Sequence, residues 1–297
     1  MTLKSLKTHF VSSLLDCYPE TEITSFFYIL TQYILGKQRI DVALSYKDNI
    51  SEIDIKKFNN SIDRLKNREP IQYIIGETEF FRLPFKLNNS VLIPRPETEE
   101  LVSLVLQNSK NKIPSSIPET LNILDIGTGS GCIAVSLAKN LPNAKVFAMD
   151  VSKEALKIAK ENAELNDVEV TFFAANILNW KQETGIWNLE FEDLKFDVIV
   201  SNPPYVRALE KEQMQPNVLK HEPHLALFVE AEDSLLFYRR IAQLANQVLS
   251  SNGQLYFEIN EYLGKDMLKL MKDEGFVKIE IKSDIFGKHR MIKGVKS

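Results

Sequence analysis

From residue 121 to the end of the chain, segments typical of buried strands alternate with segments of helical period. The strand segments are residues 121–126, 145–149, 169–173, 196–200, 254–259, 277–281 and 291–295. Helices are predicted between them at residues 131–140, 153–166, 234–250 and 262–274. Strands and helices that alternate at this spacing predict a mostly parallel sheet covered on both faces. We therefore expect an α/β fold with a doubly wound, Rossmann-like sheet of seven strands, one of them an extra edge strand.

The first part of the chain has a different pattern. From residue 2 to about residue 68, apolar residues recur every three or four positions, which predicts helices. Pro19 and Gly36 interrupt the pattern, and Ser51 is placed to cap a further helix that extends to Lys66. Residues 1–70 are therefore predicted to form a small all-helical domain.

Between this domain and the α/β domain, residues 71–93 mix aromatic and β-branched residues with turn formers. We expect strands at residues 71–76, 79–85 and 90–93, arranged as a β-hairpin that links the two domains. The α/β domain then covers residues 94–297. It opens with helical period at residues 101–105, followed by a loose stretch at residues 108–120.

Composition excludes several classes of protein. The 297 residues are 44% hydrophobic, enough for a real core, and carry a formal net charge of −4. A broad phosphate-binding face is therefore not expected, and neither is a direct nucleic-acid partner. Cys17 and Cys132 fit no disulfide framework, no metal site is expected, and no apolar run approaches the roughly 20 residues that cross a bilayer. We expect a reduced, cytoplasmic monomer with no membrane contact.

A glycine-rich turn follows the first strand of the α/β domain. Gly127, Gly129 and Gly131 permit a tight turn and let a ligand approach the backbone closely. The next strand ends at Asp150, whose carboxylate is placed to accept both hydroxyls of a ribose. Together the two features indicate a nucleoside-containing cofactor at the carboxyl ends of the strands.

The identity of that cofactor stays open on the glycines alone. A dinucleotide fingerprint reads G-x-G-x-x-G and also places an acid about 20 residues later, whereas the loop here reads G-x-G-x-G. This spacing favours S-adenosylmethionine, whose enzymes meet no pyrophosphate at the loop. NAD binding, or a glycine turn that only closes a strand–helix corner, would also fit the glycines.

The fourth strand of the α/β domain stops at Asn202-Pro203-Pro204-Tyr205. Two successive prolines fix the backbone and remove its N–H donors, which leaves a rigid turn rich in acceptors. The Asn202 side-chain oxygen and the Pro203 carbonyl are placed to accept the two N–H groups of a planar NH₂, while the Tyr205 ring covers its flat face. The turn thus predicts a clamp for an amide or an amine.

With these motifs the sequence closely resembles the HemK/PrmC family of protein glutamine methyltransferases. The likeness covers nearly the whole chain and rests on four motif segments: residues 68–80, 91–100, 125–131 and 201–206. The resemblance implies methyl transfer from S-adenosylmethionine to the glutamine amide of the Gly-Gly-Gln motif in peptide-chain release factors, which would be the protein partners.

The resemblance also implies which residues bind each ligand. The cofactor residues are Gly127, Thr128, Gly129, Ser130, Gly131, Asp150, Asn176, Ile177 and Asn202; the substrate residues are Leu92 and Asn202, Pro203, Pro204 and Tyr205, of which Asn202, Pro203 and Tyr205 are catalytic. The chain departs from the family pattern at Asn176, at Val229-Glu230 and at Asn260.

Competing functions share parts of this chemistry. A nucleic-acid adenine methyltransferase can use the same clamp on a flipped base, although the acidic balance of the chain disfavours it. Methylation of a ribosomal-protein glutamine is chemically the same reaction. An NAD-dependent dehydrogenase and a non-catalytic adaptor also fit parts of the pattern. For the helical domain, which has apolar faces and no chemical groups of interest, we expect recognition of the release factor.

Overall fold

The structure is a computed structural model that describes residues 1–112, 120–180, 194–206, 216–227 and 233–297. It divides into two compact units. One contains Met1–Glu77 and the short helix Pro216–His221, and the other contains the rest of the described chain. Among the described residues, no helix is both long and apolar enough to span a membrane.

The first unit is helical, as the sequence predicts. Its remaining helices are Leu3–Leu14, Glu20–Leu35, Arg39–Leu44, Glu52–Lys66 and Ile71–Ile75. Ser51 caps the fourth of these by accepting a hydrogen bond from the Asp54 N–H at 3.1 Å. The core contains Phe10, whose ring centroid lies 5.6 Å from that of Phe27 and 6.3 Å from that of Phe58.

Two of the predicted strands are wrong. Residues 71–75 form a helix that begins after Pro70 and ends at Gly76 in the left-handed conformation, an arrangement typical of helix ends. The β-branched residues of this segment suggested a strand, but Ile71 and Ile74 are buried in the helical core. Residues 90–93 are irregular, with no strand hydrogen bonding.

A hairpin is present within the predicted range, but its turn at residues 81–82 divides the segment that was predicted as one strand, residues 79–85. Strand β1 (Glu77–Phe80) pairs with β2 (Leu83–Lys86) through Phe81 and Arg82, both with positive φ, as in a type I′ turn. Its Phe80 and Phe85 side chains are buried in the core of the second unit.

The second unit contains the predicted seven-stranded sheet. Its strands are β3 (Asn122–Ile126), β4 (Lys145–Asp150), β5 (Thr171–Ala174), β6 (Phe196–Ser201), β7 (Leu249–Glu258), β8 (Phe276–Ser283) and β9 (His289–Lys296). The spatial order is β5-β4-β3-β6-β7-β9-β8, and β9 runs antiparallel to both of its neighbours. The chain thus proceeds outward from β3 in one direction and then crosses to β6 on the other side.

Helices cover both faces of this sheet. In the described part of the second unit the helices are Pro96–Lys112, Cys132–Asn140, Lys153–Leu165, His224–Leu227, Leu236–Val248 and Gly264–Asp273, with a 3₁₀ turn at Ile177–Asn179. The first three pack on one face, and Leu236–Val248 and Gly264–Asp273 pack on the other. The helix Pro96–Lys112 extends into the stretch predicted to be loose. Residues 113–119 lie outside the described residues.

A buried asparagine joins the hairpin to the sheet unit. Asn162 is fully buried; its Oδ1 accepts from the Lys86 N–H at 2.7 Å, and its Nδ2 donates to the carbonyls of Lys86 and Ser130 at 3.1 and 2.9 Å. One side chain therefore fixes both the end of β2 and the glycine-rich turn against the helix Lys153–Leu165.

We expect Asn162→Ala to lower the free energy of unfolding by roughly 2–4 kcal/mol, because it leaves buried backbone groups without partners. Asn140→Ala is the matched control, since Asn140 is exposed and, among the described residues, its side chain donates to a carbonyl of its own helix. The control should change the free energy by less than about 0.5 kcal/mol. Urea unfolding of both variants measures the difference, and equal shifts in the two midpoints would contradict the role given to Asn162.

Candidate active site

A cavity of about 380 Å³ opens at the carboxyl ends of β3, β4, β5 and β6. This is the position at which the strand order reverses, where ligands bind in sheets of this kind. Of the residues singled out from the sequence, its lining includes Leu92, Gly127, Gly129, Asp150, Asn176, Ile177, Asn202, Pro203 and Pro204. Thr128, Ser130, Gly131 and Tyr205 are outside this lining. The structure thus brings nine of the thirteen predicted residues to one cavity.

The backbone of the glycine-rich turn is already hydrogen-bonded within the protein. The Gly127 and Thr128 N–H groups donate to the Met149 carbonyl at 2.9 and 3.0 Å, and the Gly129 N–H donates to Asp150 Oδ2 at 2.9 Å. Gly127 and Gly129 have φ of +75° and +54°, and a Cβ on either would meet no heavy atom within 4 Å. The turn therefore presents open space and few free N–H donors, which disfavours a pyrophosphate.

Gly131 and Thr128 stabilise the turn through contacts with the protein interior. Gly131 has φ of +81°, and a Cβ there would lie 3.0 Å from the Ala159 Cβ, so the turn packs directly on the helix Lys153–Leu165. The Thr128 hydroxyl donates to Asp125 Oδ2 at 2.7 Å. Burial raises the pKa of Asp125 to about 7, although the Thr128 bond opposes this. Direct cofactor contacts of Thr128, Ser130 and Gly131 stay predictions.

Asp150 lies at the end of β4 and holds two backbone N–H groups. Its Oδ2 accepts from Gly129 and its Oδ1 from Ser152, each at 2.9 Å. Burial raises the pKa of this carboxyl, and the backbone donors oppose the rise. Each carboxylate oxygen can accept more than one hydrogen bond, so the pair can still accept ribose hydroxyls from the cavity.

Asn176 and Ile177 follow β5 along the same wall. The Asn176 side-chain oxygen accepts from the Leu178 N–H at 2.9 Å and caps the 3₁₀ turn that begins at Ile177. The cap fixes the orientation of the amide at the cavity wall, where the resemblance implies contact with an adenine.

The Asn-Pro-Pro-Tyr turn continues directly from β6. The Ser201 hydroxyl donates to the Ile126 carbonyl at 2.6 Å, which joins the ends of β6 and β3. Asn202 and the two prolines face the cavity, whereas the Tyr205 ring packs on the apolar core and its hydroxyl donates to Glu258 Oε1 at 3.2 Å. Burial and the Glu258 charge raise the pKa of Tyr205 above its usual range. The covering role of its ring stays a prediction.

Two residues that are not among the predicted site residues contact this turn. Asn202 Nδ2 donates to the Thr98 hydroxyl at 3.2 Å, and Thr98 donates to Glu258 Oε2 at 2.6 Å. Both partners are buried, with exposed fractions of 2% and 1%, and burial raises the pKa of Glu258. The sequence position of Glu258 could have indicated a place at the site, because this residue ends β7, the strand beside β6.

An ion pair closes another part of the wall. Arg95 Nη2 lies 2.7 Å from both carboxylate oxygens of Glu222, which is buried. Glu222 directly precedes Pro223, a residue of the cavity lining, and Arg95 lies in the segment that joins Leu92 to the helix Pro96–Lys112. The pair therefore fastens two parts of the cavity wall to each other.

Comparison with known proteins agrees with this architecture. The model of the methyltransferase small domain matches residues 103–225, and that of the PrmC N-terminal domain matches residues 6–76. Among solved structures, the fold is similar to a Thermus thermophilus 16S rRNA N2 G1207 methyltransferase, described in complex with AdoMet and guanosine. The TM-score is 0.51 at 15% identity, and the match covers 74% of this chain and 50% of that one. At this identity the likeness concerns the fold alone.

Curated relatives are similar over the whole length. A release factor glutamine methyltransferase of Flavobacterium psychrophilum is 52% identical over 295 residues, which is 99% of each chain. One of Bacteroides thetaiotaomicron is 44% identical over 280 residues, covering 94% of this chain and 95% of the relative. Identity of this extent, together with the cavity and its Asn-Pro-Pro-Tyr turn, shows that the chain belongs to the release factor glutamine methyltransferase family.

Proposed function

We propose that this protein transfers a methyl group from S-adenosylmethionine to the side-chain amide nitrogen of the glutamine in the Gly-Gly-Gln motif of peptide-chain release factors. The observation that carries the proposal is that Asp150 and the Asn202-Pro203 pair line the same cavity. One can bind a ribose and the other an amide, so both ligands of a methyl transfer would meet there. The proposal includes a cytoplasmic, monomeric enzyme with no direct nucleic-acid partner.

The cofactor part of the cavity supports S-adenosylmethionine over NAD. The N–H groups of Gly127, Thr128 and Gly129 already donate to protein acceptors, so a pyrophosphate would find few donors in this turn. Asp150 is available to a ribose, and Asn176 and Ile177 border the space beyond it. When bound, S-adenosylmethionine supplies an electrophilic methyl group on a sulfonium.

The substrate part of the cavity suits a poor nucleophile. An amide nitrogen attacks weakly because its lone pair is delocalised into the carbonyl. The Asn202 oxygen and the Pro203 carbonyl would accept its two N–H groups, which orients the nitrogen and increases its electron density. Catalysis would thus come from positioning and electrostatics. No strong base is needed beforehand, because the surplus proton of the methylated amide is acidic and leaves afterwards.

Transfer of labelled methyl groups tests this function against the competing ones. Incubated with methyl-labelled S-adenosylmethionine, the protein should label an intact release factor. It should not label a matched release factor whose Gly-Gly-Gln glutamine is replaced by glutamate, because that side chain has no amide nitrogen. Ribosomal proteins, duplex DNA and single-stranded DNA complete the comparison. Label in DNA or in ribosomal proteins but not in the release factor would overturn the proposal.

Two substitutions should separate cofactor binding from transfer. Asn202→Ala removes one acceptor of the clamp, and we expect kcat to fall at least about 100-fold while the Kd for the cofactor rises less than it does in Asp150→Ala. Asp150→Ala removes the ribose acceptor, and we expect that Kd to rise about tenfold or more. Calorimetry gives both affinities. Near-normal transfer by the first variant would refute the clamp, and unchanged affinity in the second would refute the ribose contact.

We also propose that the helical unit recognises the body of the release factor. On the short helix Arg39–Leu44, Val42 points into the core, whereas Ile40 and Leu44 are 65% and 82% exposed. Residues four positions apart lie on the same face of a helix, so these two side chains form a small apolar surface. Such a surface suits contact with a protein, and apolar side chains at this place have no role in methyl transfer.

The double variant Ile40→Ser/Leu44→Ser should raise the KM for an intact release factor about tenfold, because contact would no longer bury two apolar side chains. The kcat/KM for a short peptide that contains Gly-Gly-Gln should stay unchanged. Val277→Ser is the matched control, since Val277 is 43% exposed on the other unit. If the double variant and the control have the same KM for the intact factor, the proposed surface is wrong.

A further inference from the structure

Three side chains from separate elements meet behind the clamp. Thr98 lies in the first turn of the helix Pro96–Lys112, Glu258 ends β7, and Asn202 follows β6. Their polar atoms form a chain in which Asn202 Nδ2 is 3.2 Å from Thr98 Oγ1, and Thr98 Oγ1 is 2.6 Å from Glu258 Oε2. Because Thr98 and Glu258 are almost completely buried, water does not compete for these bonds.

The carboxylate determines the direction of every hydrogen bond in this chain. An ionised carboxylate can only accept, so the Thr98 hydroxyl must direct its hydrogen at Glu258. Burial raises the pKa of Glu258, but the Thr98 hydroxyl, the charge of Arg290 and the Tyr205 hydroxyl, which donates to the other oxygen of Glu258, oppose this rise and stabilise the carboxylate. The Thr98 oxygen then has only lone pairs to offer to Asn202.

This restriction determines which way the asparagine amide faces. The oxygen and nitrogen ends of a carboxamide have nearly the same size, so packing alone does not distinguish the two orientations of Asn202. A Thr98 oxygen that can only accept selects the orientation with Nδ2 toward Thr98. The amide oxygen of Asn202 is then the end left for a ligand in the cavity.

We propose that Glu258, acting through Thr98, is a positioning residue that turns the Asn202 carboxamide so that its oxygen accepts an N–H of the substrate amide. The proposal rests on the proposed function. In the opposite orientation the Asn202 NH₂ would face the substrate NH₂, and two donors would be opposed where a hydrogen bond is required.

The test changes the hydroxyl and keeps the shape. Thr98→Val removes the hydroxyl at nearly constant volume, and we expect kcat on the release factor to fall about 10- to 100-fold, by analogy with the loss of hydrogen-bond partners that orient metal ligands. The KM for the release factor and the Kd for S-adenosylmethionine should change less than about threefold. Thr98→Ser, which retains the hydroxyl, should restore kcat to within about threefold of the wild-type value.

Two further variants make the result decisive. Thr31→Val is the matched control, because Thr31 is fully buried in the helical unit and its hydroxyl donates to the Phe27 carbonyl; its kcat should be that of the wild type. Glu258→Met replaces the acceptor with an apolar side chain of similar length. It should also lower kcat about tenfold or more. If Thr98→Val loses its cooperative thermal transition and so is not folded, Glu258→Met tests the positioning role in its place.

The outcomes distinguish this proposal from the proposed function. If the wild-type protein labels no release factor, the function itself fails. If the wild-type protein is active, the positioning role is overturned by any of three results: folded Thr98→Val or Glu258→Met with kcat near the wild-type value, Thr98→Ser as impaired as Thr98→Val, or a loss confined to cofactor affinity.

Discussion

The parallel pairing of β3 with β6 is the constraint on which the site depends. In this register Ile126 is opposite Ser201, so Gly127 and Asn202 leave the sheet side by side. The Ser201 hydroxyl reinforces the pairing by donating to the Ile126 carbonyl. On the other side of β3, Ile126 is opposite Met149, which brings Asp150 to the same edge. A shift of one residue in either ladder would separate the two halves of the cavity.

Three carboxylates hold this edge in shape, of which Asp125 and Glu258 are buried and Asp150 is partly buried at the cavity wall. Asp125 receives the Thr128 hydroxyl, Asp150 receives two backbone N–H groups, and Glu258 receives the hydroxyls of Thr98 and Tyr205. Each carboxylate only accepts while it is ionised, and therefore fixes the direction of the groups that donate to it. Burial raises the pKa of all three carboxyl groups, because an ionised carboxylate is less stable in the protein interior than in water.

The sequence predicts the parts of the site that are local in the chain. The glycine-rich turn and the Asn-Pro-Pro-Tyr turn each follow a strand, and the periodicity of the chain is enough to find both. It fails at residues 71–75, where β-branched residues form a helix because the core of the helical unit takes up Ile71 and Ile74. It also misses the pair of Thr98 and Glu258, which are 160 positions apart and adjoin only after the sheet has formed.

The departures from the family pattern have local explanations where the structure describes them. Asn260 has no left-handed φ, so its position does not require glycine, and its side chain accepts from the Tyr262 N–H at 3.0 Å. Asn176 likewise caps a turn through its side-chain oxygen. Val229 and Glu230 lie outside the described residues. Both asparagines stabilise the backbone just after a strand, each by accepting from the N–H group two residues further along the chain. Each departure therefore changes how the backbone that follows its strand is held.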